Sequence, residues 1–409
     1  MERKPFEGIK VLDLCWSGAG VFIINLLAHY GATVIRVESA RRPDPIRHVL
    51  TYTDYSGDDP HALELSPTFA FTHPAPKMGL DLNMKDPGAK ELFRKLVAWA
   101  DVVGESFPTG VMERLGFGYE DLRKIKPDII MVRSCGYGHT GPMAQQAGFG
   151  MILSAVCMMY SLAGWPDRRP VPLSSFYSDQ LSPLLSMAAL VAAIDYRRRT
   201  GKGQCIDQSQ VESSLQYLAP VLLDYTVNKR ELALTGNKCD YAAPHGIYPC
   251  RGDDRWVAIA VCTNEEWDSF CRVVGNPAWT KEPKFATLAG RIEHSDEIDS
   301  YVGAWTKDRA AEQVMFMLQD AGVGAGVVAN SRDLAEDVQF KHYNYFREAD
   351  HPYQGRANFY HPPSFKLSAV DADVGRPNLL GEHNEYICKE ILGISDDEFA
   401  QLMRDGAFD

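Results

Sequence analysis

Residues 8–38 constrain the fold more than any other stretch. Gly8–Leu14 (GIKVLDL) alternates apolar positions and predicts a strand. Residues 20–30 are apolar at helical spacing, and Gly31 stands where a helix C-cap glycine would. Ala32–Glu38 (ATVIRVE) is β-branched and predicts a second strand. A β-α-β opening argues for a parallel sheet with crossover helices. The pattern continues. Asp86–Ala100 begins with Asp-Pro and predicts a helix, Asp101–Val103 a short strand, Tyr119–Ile125 a helical turn or two, and Asp128–Cys135 a buried strand. Pro183–Arg199 and Ile206–Asn228 read as helices. Near residue 230 the character changes, and 230–335 reads as a smaller α+β domain with a strand at Trp256–Val261.

The 409 residues carry a net charge of −12, which argues against nucleic acid and against an anionic membrane as partner. Any phosphate-bearing ligand then needs a local basic pocket. The apolar stretches Met151–Trp165 and Leu184–Ile194 fall short of a membrane span. The nine cysteines are odd in number, scattered, and without a C-x-x-C or a zinc spacing. No metal site and a reducing cytoplasm are the expectation.

Several patterns could carry chemistry. Ser17-Gly18-Ala19-Gly20 follows the first strand, and Glu38 ends the second, where a ribose-binding acid would sit. The third glycine of G-x-G-x-x-G would fall at Ile23, so a nicotinamide cofactor is disfavoured. Backbone N–H groups at that helix start, around Gly18 and Ala19, could still hold a phosphate or carbonyl. No G-x-S-x-G occurs, and His139 and His245 lie in turn-rich loops that suit solvated hydrogen-bonders. Asp179 precedes the long apolar helix. An aspartate so placed is usually a helix cap, and the same placement also suits an exposed carboxylate nucleophile held by N–H groups.

In order and spacing, several stretches together resemble the family III CoA-transferases (the CaiB/BaiF type), which include formyl-CoA transferase, carnitine CoA-transferase and α-methylacyl-CoA racemase. They are the 8–38 opening, Leu80–Lys85, Val111–Gly116, Gly136–Pro142, Asp179, Arg197–Gln204, Ala243–Cys250 and Leu379–His383. By that resemblance Asp179 takes the position of the catalytic aspartate. It would form an acyl anhydride and then an aspartyl-CoA thioester. Racemases of this group use a histidine where this chain has Phe149, and phenylalanine cannot exchange a proton, so transfer is favoured over racemisation.

The resemblance also implies a CoA site. Arg114 matches a CoA-contacting position, and Lys77 lies where relatives present a basic segment. Ser39 replaces an arginine, with Arg41 and Arg42 nearby, and Phe107 sits in a Ser-Phe-Pro triplet where relatives have Asn-Phe. Gly18, Ala19 and Tyr137 complete the expected contacts. CoA enters as a substrate, with no permanent cofactor. The implied fold is a Rossmann-like large domain formed by 1–225 and a returning segment 336–409, around a small domain at 230–335, in an interlocked dimer. The overall look, including Gly20–Glu38 and the Phe71–Lys77 segment, resembles most the members that take CoA from succinyl-CoA, such as benzylsuccinate CoA-transferase with its two related subunits. A homodimer or a heteromer with a paralogous subunit is implied. In the heteromer this chain could be the catalytically weak partner.

Overall fold

The computed structural model describes residues 3–49, 61–172, 176–359 and 362–408. The chain divides into two compact units. The first is 1–159, 173–230 and 339–409, and the second is 160–172 and 231–338. The short segment 160–172, expected in the large domain, belongs to the second unit.

The first unit is built on six parallel strands: β1 (Lys10–Leu14), β2 (Thr33–Glu38), β3 (Met78–Asp81), β4 (Val102–Glu105), β5 (Ile130–Cys135) and β6 (Cys205–Ser209). Their order in the sheet is β3-β2-β1-β4-β5-β6. This is the doubly wound Rossmann order, in which the chain reverses direction across the sheet between β1 and β4. Alternation in the strands feeds two cores. Val11, Val34, Val102 and Ile130 pack with helix α1 (Ala19–His29) and with the Tyr177–Thr200 helix. Leu12, Ile35, Leu80, Val103 and Met131 pack with the Pro87–Trp99 helix and with Ile387 and Cys388 of the tail. Both faces are therefore covered, as an all-parallel sheet requires.

The Pro87–Trp99 helix starts where the sequence predicts. The Asp86 carboxylate accepts from the Ala89 N–H at 2.9 Å, and Pro87 occupies the first helical position. The tail covers the outer edge of β3. The Gly79 N–H donates to His383 Nδ1 at 3.2 Å, and the Asp81 N–H to Asn384 Oδ1 at 2.9 Å. An added Cβ on Gly79 would lie 2.3 Å from the Leu379 carbonyl oxygen, so only glycine allows this approach. The Leu379–His383 motif thus seals an open sheet edge.

Two expectations change. Cys205–Ser209 is the sixth strand rather than the start of a helix, and helical structure begins at Gln210. The strand hides in the sequence because its buried residues are polar. Ser134 Oγ donates to Gln208 Oε1 at 2.5 Å, and Gln208 Nε2 donates to Ser213 Oγ at 3.1 Å. The long helix begins at Tyr177 instead of Pro183, so Asp179 lies in its first turn.

The second unit is an antiparallel sheet of β7 (His245–Pro249), β8 (Trp256–Ala260) and β9 (Gly324–Val327), in that order. Phe270, Phe285, Val302, Val314 and Leu318 close its core. Among the described residues, no helix is long and apolar enough to cross a membrane.

Candidate active site

In a doubly wound sheet, ligands bind outside the carboxyl ends of the strands where the order reverses. Here that crevice lies beyond β1 and β4. The turn 15–18 leaves β1, and Ser106-Phe107 leaves β4. The two are tied together by the Trp16 N–H, which donates to Ser106 Oγ at 2.7 Å. The Trp16 and Phe107 rings meet edge to face at 5.2 Å, and the exposed Arg42 guanidinium lies 5.2 Å from the Trp16 ring. Arg114 is exposed, with its guanidinium folded over Gly110. Among the described residues, neither Arg42 nor Arg114 has a carboxylate within ion-pair distance.

Asp179 reaches this crevice from the start of the Tyr177–Thr200 helix. Ser178 Oγ donates to the Gly150 carbonyl at 3.0 Å and pins that helix start to the Gly150–Val156 helix. Pro183, four residues on, has no N–H to donate to the Asp179 carbonyl. The Asp179 carboxylate lies between two glycines. A Cβ added to Gly18 would come 3.4 Å from Oδ2, and one added to Gly150 only 2.5 Å. The carboxylate's position requires glycine at 150, whereas the contact at Gly18 is close but leaves room. Gly150 was not singled out by its sequence context. Its one signal is adjacency to Phe149, in a segment otherwise read for racemase chemistry.

Burial pushes the Asp179 carboxyl up to about 7, and among the described residues no cation or hydrogen-bond donor offsets that cost. Position in a helix first turn favours the charged form, but desolvation outweighs it. A carboxylate with raised basicity in an apolar setting is a better nucleophile than one solvated at the surface. Phe149 and Phe176, each next in the chain to an element that holds the carboxylate, are 67% and 49% exposed.

The expected cations divide. The structure assigns Lys77 a different role from the expected phosphate contact. Its ammonium is buried and donates to Asp13 Oδ2 at 2.8 Å. Desolvation lowers its pKa despite Asp13. Glu38 has no capacity left for a ribose hydroxyl. It accepts from Arg36 Nε at 3.1 Å, from Arg47 at 3.0 and 2.8 Å and from the Asp44 N–H at 3.3 Å, two donors to each oxygen. Burial alone would raise its pKa, but Arg36 and Arg47 hold it at about 2. Arg133 is likewise engaged, by Glu105 at 2.7 Å and by Glu113 at 2.8 Å. Gly18 and Ala19 sit at the start of α1, which has no side-chain cap. Ser39, Phe107 and Tyr137 are half-buried at strand ends or in the loop after β5. Among the described residues, no cluster of three or more His, Cys, Asp or Glu could hold a metal ion.

The family model for CoA-transferase family III matches residues 6–384. The chain is 30% identical over 400 residues to succinyl-CoA–D-citramalate CoA-transferase of Chloroflexus aurantiacus, covering 98% of this chain and 97% of that one. It is 29% identical to the beta subunit of succinyl-CoA–L-malate CoA-transferase of the same organism, covering 97% and 96%. Among solved structures, a CAIB/BAIF family protein from Brucella suis superposes with a TM-score of 0.84 at 27% identity, covering 95% of this chain and 100% of that one.

Proposed function

The chain belongs to CoA-transferase family III, and from that premise we propose that it moves CoA from succinyl-CoA to a dicarboxylic acid by covalent catalysis on Asp179. The observation that carries this reading is the desolvated Asp179 carboxylate, set against the backbone of Gly18 and Gly150 where the strand order reverses. The carboxylate oxygen attacks the thioester carbonyl, and collapse of the tetrahedral oxyanion expels CoA thiolate and leaves a mixed anhydride. The thiolate attacks the aspartyl carbonyl. That breaks the anhydride bond, frees succinate and forms an aspartyl-CoA thioester. The acceptor carboxylate then attacks this thioester, and the released thiolate attacks the acceptor's acyl carbon. Acceptor-CoA leaves and the Asp179 carboxylate is restored. Backbone N–H groups are the natural donors to the oxyanions, and the uncapped start of α1 at Gly18 and Ala19 is where we place them.

The CoA phosphates would meet Arg42 and Arg114, with Trp16 and Phe107 as an apolar platform and Ser39 and Tyr137 at its margins. The relatives named above support succinyl-CoA as donor and a branched or hydroxylated dicarboxylate as acceptor. Benzylsuccinate is a further candidate acceptor, and the exposed side chains of Phe149 and Phe176, close in sequence to Gly150 and Asp179, are apolar groups available to a phenyl substituent. The test incubates succinyl-CoA with D-citramalate, L-malate or benzylsuccinate and follows succinate release and formation of the new CoA ester. Exchange with one of these acids supports the reading, and no exchange with any of them overturns the proposed substrates.

Assembly with a second copy or a paralogue is part of the proposal. The Ala219–Asn228 helix has no buried residue, and it exposes Leu222, Leu223, Tyr225 and Val227, the last at 74%. A face this apolar suits a protein partner. A heteromer is the second reading, since one relative is a beta subunit. Turnover that appears only with the paralogous subunit present, and survives Asp179→Ala, would favour it. The proposed location is the cytoplasm.

The Asp179 carboxyl also sets a pH dependence. Only the ionised form attacks, and its pKa lies near 7. The rate of the CoA-release burst at limiting succinyl-CoA should rise about tenfold per pH unit below 7 and level off above it. A flat profile from pH 5 to 8 would contradict a desolvated nucleophile.

A further inference from the structure

The 15–18 turn is held by three side chains from separate places. The Cys15 N–H donates to Asp13 Oδ1 at 3.0 Å, the Trp16 N–H to Ser106 Oγ at 2.7 Å, and the Ser17 N–H to both Asp44 oxygens at 3.1 and 3.0 Å. Ser17 pays a conformational cost in this turn. Its φ of 64° lies in the left-handed region, where a Cβ crowds the backbone and glycine is favoured. The next residue is Gly18, whose backbone lies against Asp179. Asp44 is 27 residues away from Ser17 and 0% exposed. It also accepts from Arg36 Nη2 at 2.7 Å and from the Ile46 N–H at 3.1 Å, where it caps the Pro45–His48 turn of helix. Arg36 in turn donates to the Cys15 carbonyl at 2.7 Å, so both ends of the turn are fixed through one guanidinium.

We propose that Asp44 is a positioning residue for the transferase reaction: its buried carboxylate, oriented by Arg36, holds Ser17 in the left-handed conformation that sets the Gly18 backbone against Asp179. The inference rests on Asp179 being the nucleophile. In Asp44→Asn one oxygen becomes an NH2 group, which cannot accept from Arg36, Ile46 or Ser17. The turn then loses part of its hold, and Ser17 relaxes toward negative φ. That moves Gly18 and the start of α1 away from the carboxylate. A shift of this kind near a reacting centre costs rate more than binding.

The experiment measures kcat, KM for succinyl-CoA and the CoA-release burst in the full chain, with folded fraction checked by circular dichroism. Asp44→Asn should lower kcat and the burst rate by about tenfold or more while KM changes by less than about threefold. Adding Ser17→Gly to Asp44→Asn should recover at least about threefold of that loss, because glycine adopts positive φ without the penalty. A merely structural Asp44 would lower thermal stability and leave kcat per folded molecule unchanged. That result overturns the proposal, and so does failure of Ser17→Gly to recover any rate. Asp179→Ala is the separating control. If it leaves turnover intact, the nucleophile reading itself falls. If it abolishes turnover while folded Asp44→Asn keeps the full rate, only the positioning role falls.

Discussion

Asp179→Asn should abolish transfer, with kcat falling by roughly 10³-fold or more, while succinyl-CoA still binds. The asparagine amide is nearly the same size and fits between Gly18 and Gly150, so the crevice keeps its shape. What disappears is the attacking oxygen. Without it no anhydride forms, and no CoA is released in a burst. The same substitution should stabilise the protein at alkaline pH. A carboxyl whose folded pKa of about 7 stands above its unfolded value near 3.8 binds more protons folded than unfolded between those values. It therefore costs stability progressively as pH rises from about 4 through 7, and that cost is full above 7. Asp179→Asn removes it, so the variant's Tm should exceed the parent's at pH 8 and match it near pH 4. Loss of activity with a gain in stability is the signature of a functional, strained site rather than a helix cap. A cap removed would lower stability, and the comparison of Tm values decides between the two.

The second large effect concerns stability. Arg36→Met should destabilise the first unit by about 3–5 kcal/mol, the usual cost of removing one partner from a buried ion network. Arg36 is fully buried and donates to Glu38, Asp13 and Asp44. Methionine fills much of the volume but leaves three buried carboxylates with less positive charge to balance them. Lys77 still serves Asp13, and Arg47 still serves Glu38. Asp44 is left most exposed to the loss, because Arg36 is its cationic partner. The deficit should also depend on pH. Glu38 is held at about 2 in the folded chain, so its stabilisation is complete above its ordinary value near 4.5 and is lost as pH falls through 2. Urea unfolding at pH 7 should therefore show the full difference between parent and variant, and the difference should shrink from about pH 4.5 downward. A variant within about 1 kcal/mol of the parent at pH 7 would mean that the network is not held by Arg36.

What could be read in advance follows from which signals are local. The strand-helix-strand opening was legible because its apolar residues recur at strand and helix periods and Gly31 ends the helix. The Pro87–Trp99 helix was legible because Asp86-Pro87 is a start signal with a known hydrogen bond. Cys205–Ser209 was hidden because a strand whose buried positions are Gln and Ser carries no apolar period. Pro183 misled because proline marks a first helical position more often than a seventh. The role of a cation was not legible either. Lys77 and Arg42 look alike in sequence, yet one is sealed against Asp13 and the other lies over Trp16 in the open crevice. Asp179 stood out through its resemblance to a catalytic position. Its surroundings could not, because Gly18 and Gly150 are far from it in the chain and meet its carboxylate only in the fold, and Asp44 reaches the site only through Ser17.

The central claim is a covalent bond to one carboxylate, and hydroxylamine trapping tests it most directly. Protein turning over succinyl-CoA is treated with hydroxylamine, which attacks an aspartyl-CoA thioester, releases CoA and leaves a hydroxamate on the aspartate. Peptide mass mapping should then find that modification on Asp179, dependent on succinyl-CoA and absent from Asp179→Asn. A modification on any other residue, or full turnover with Asp179 unmodified, would contradict it.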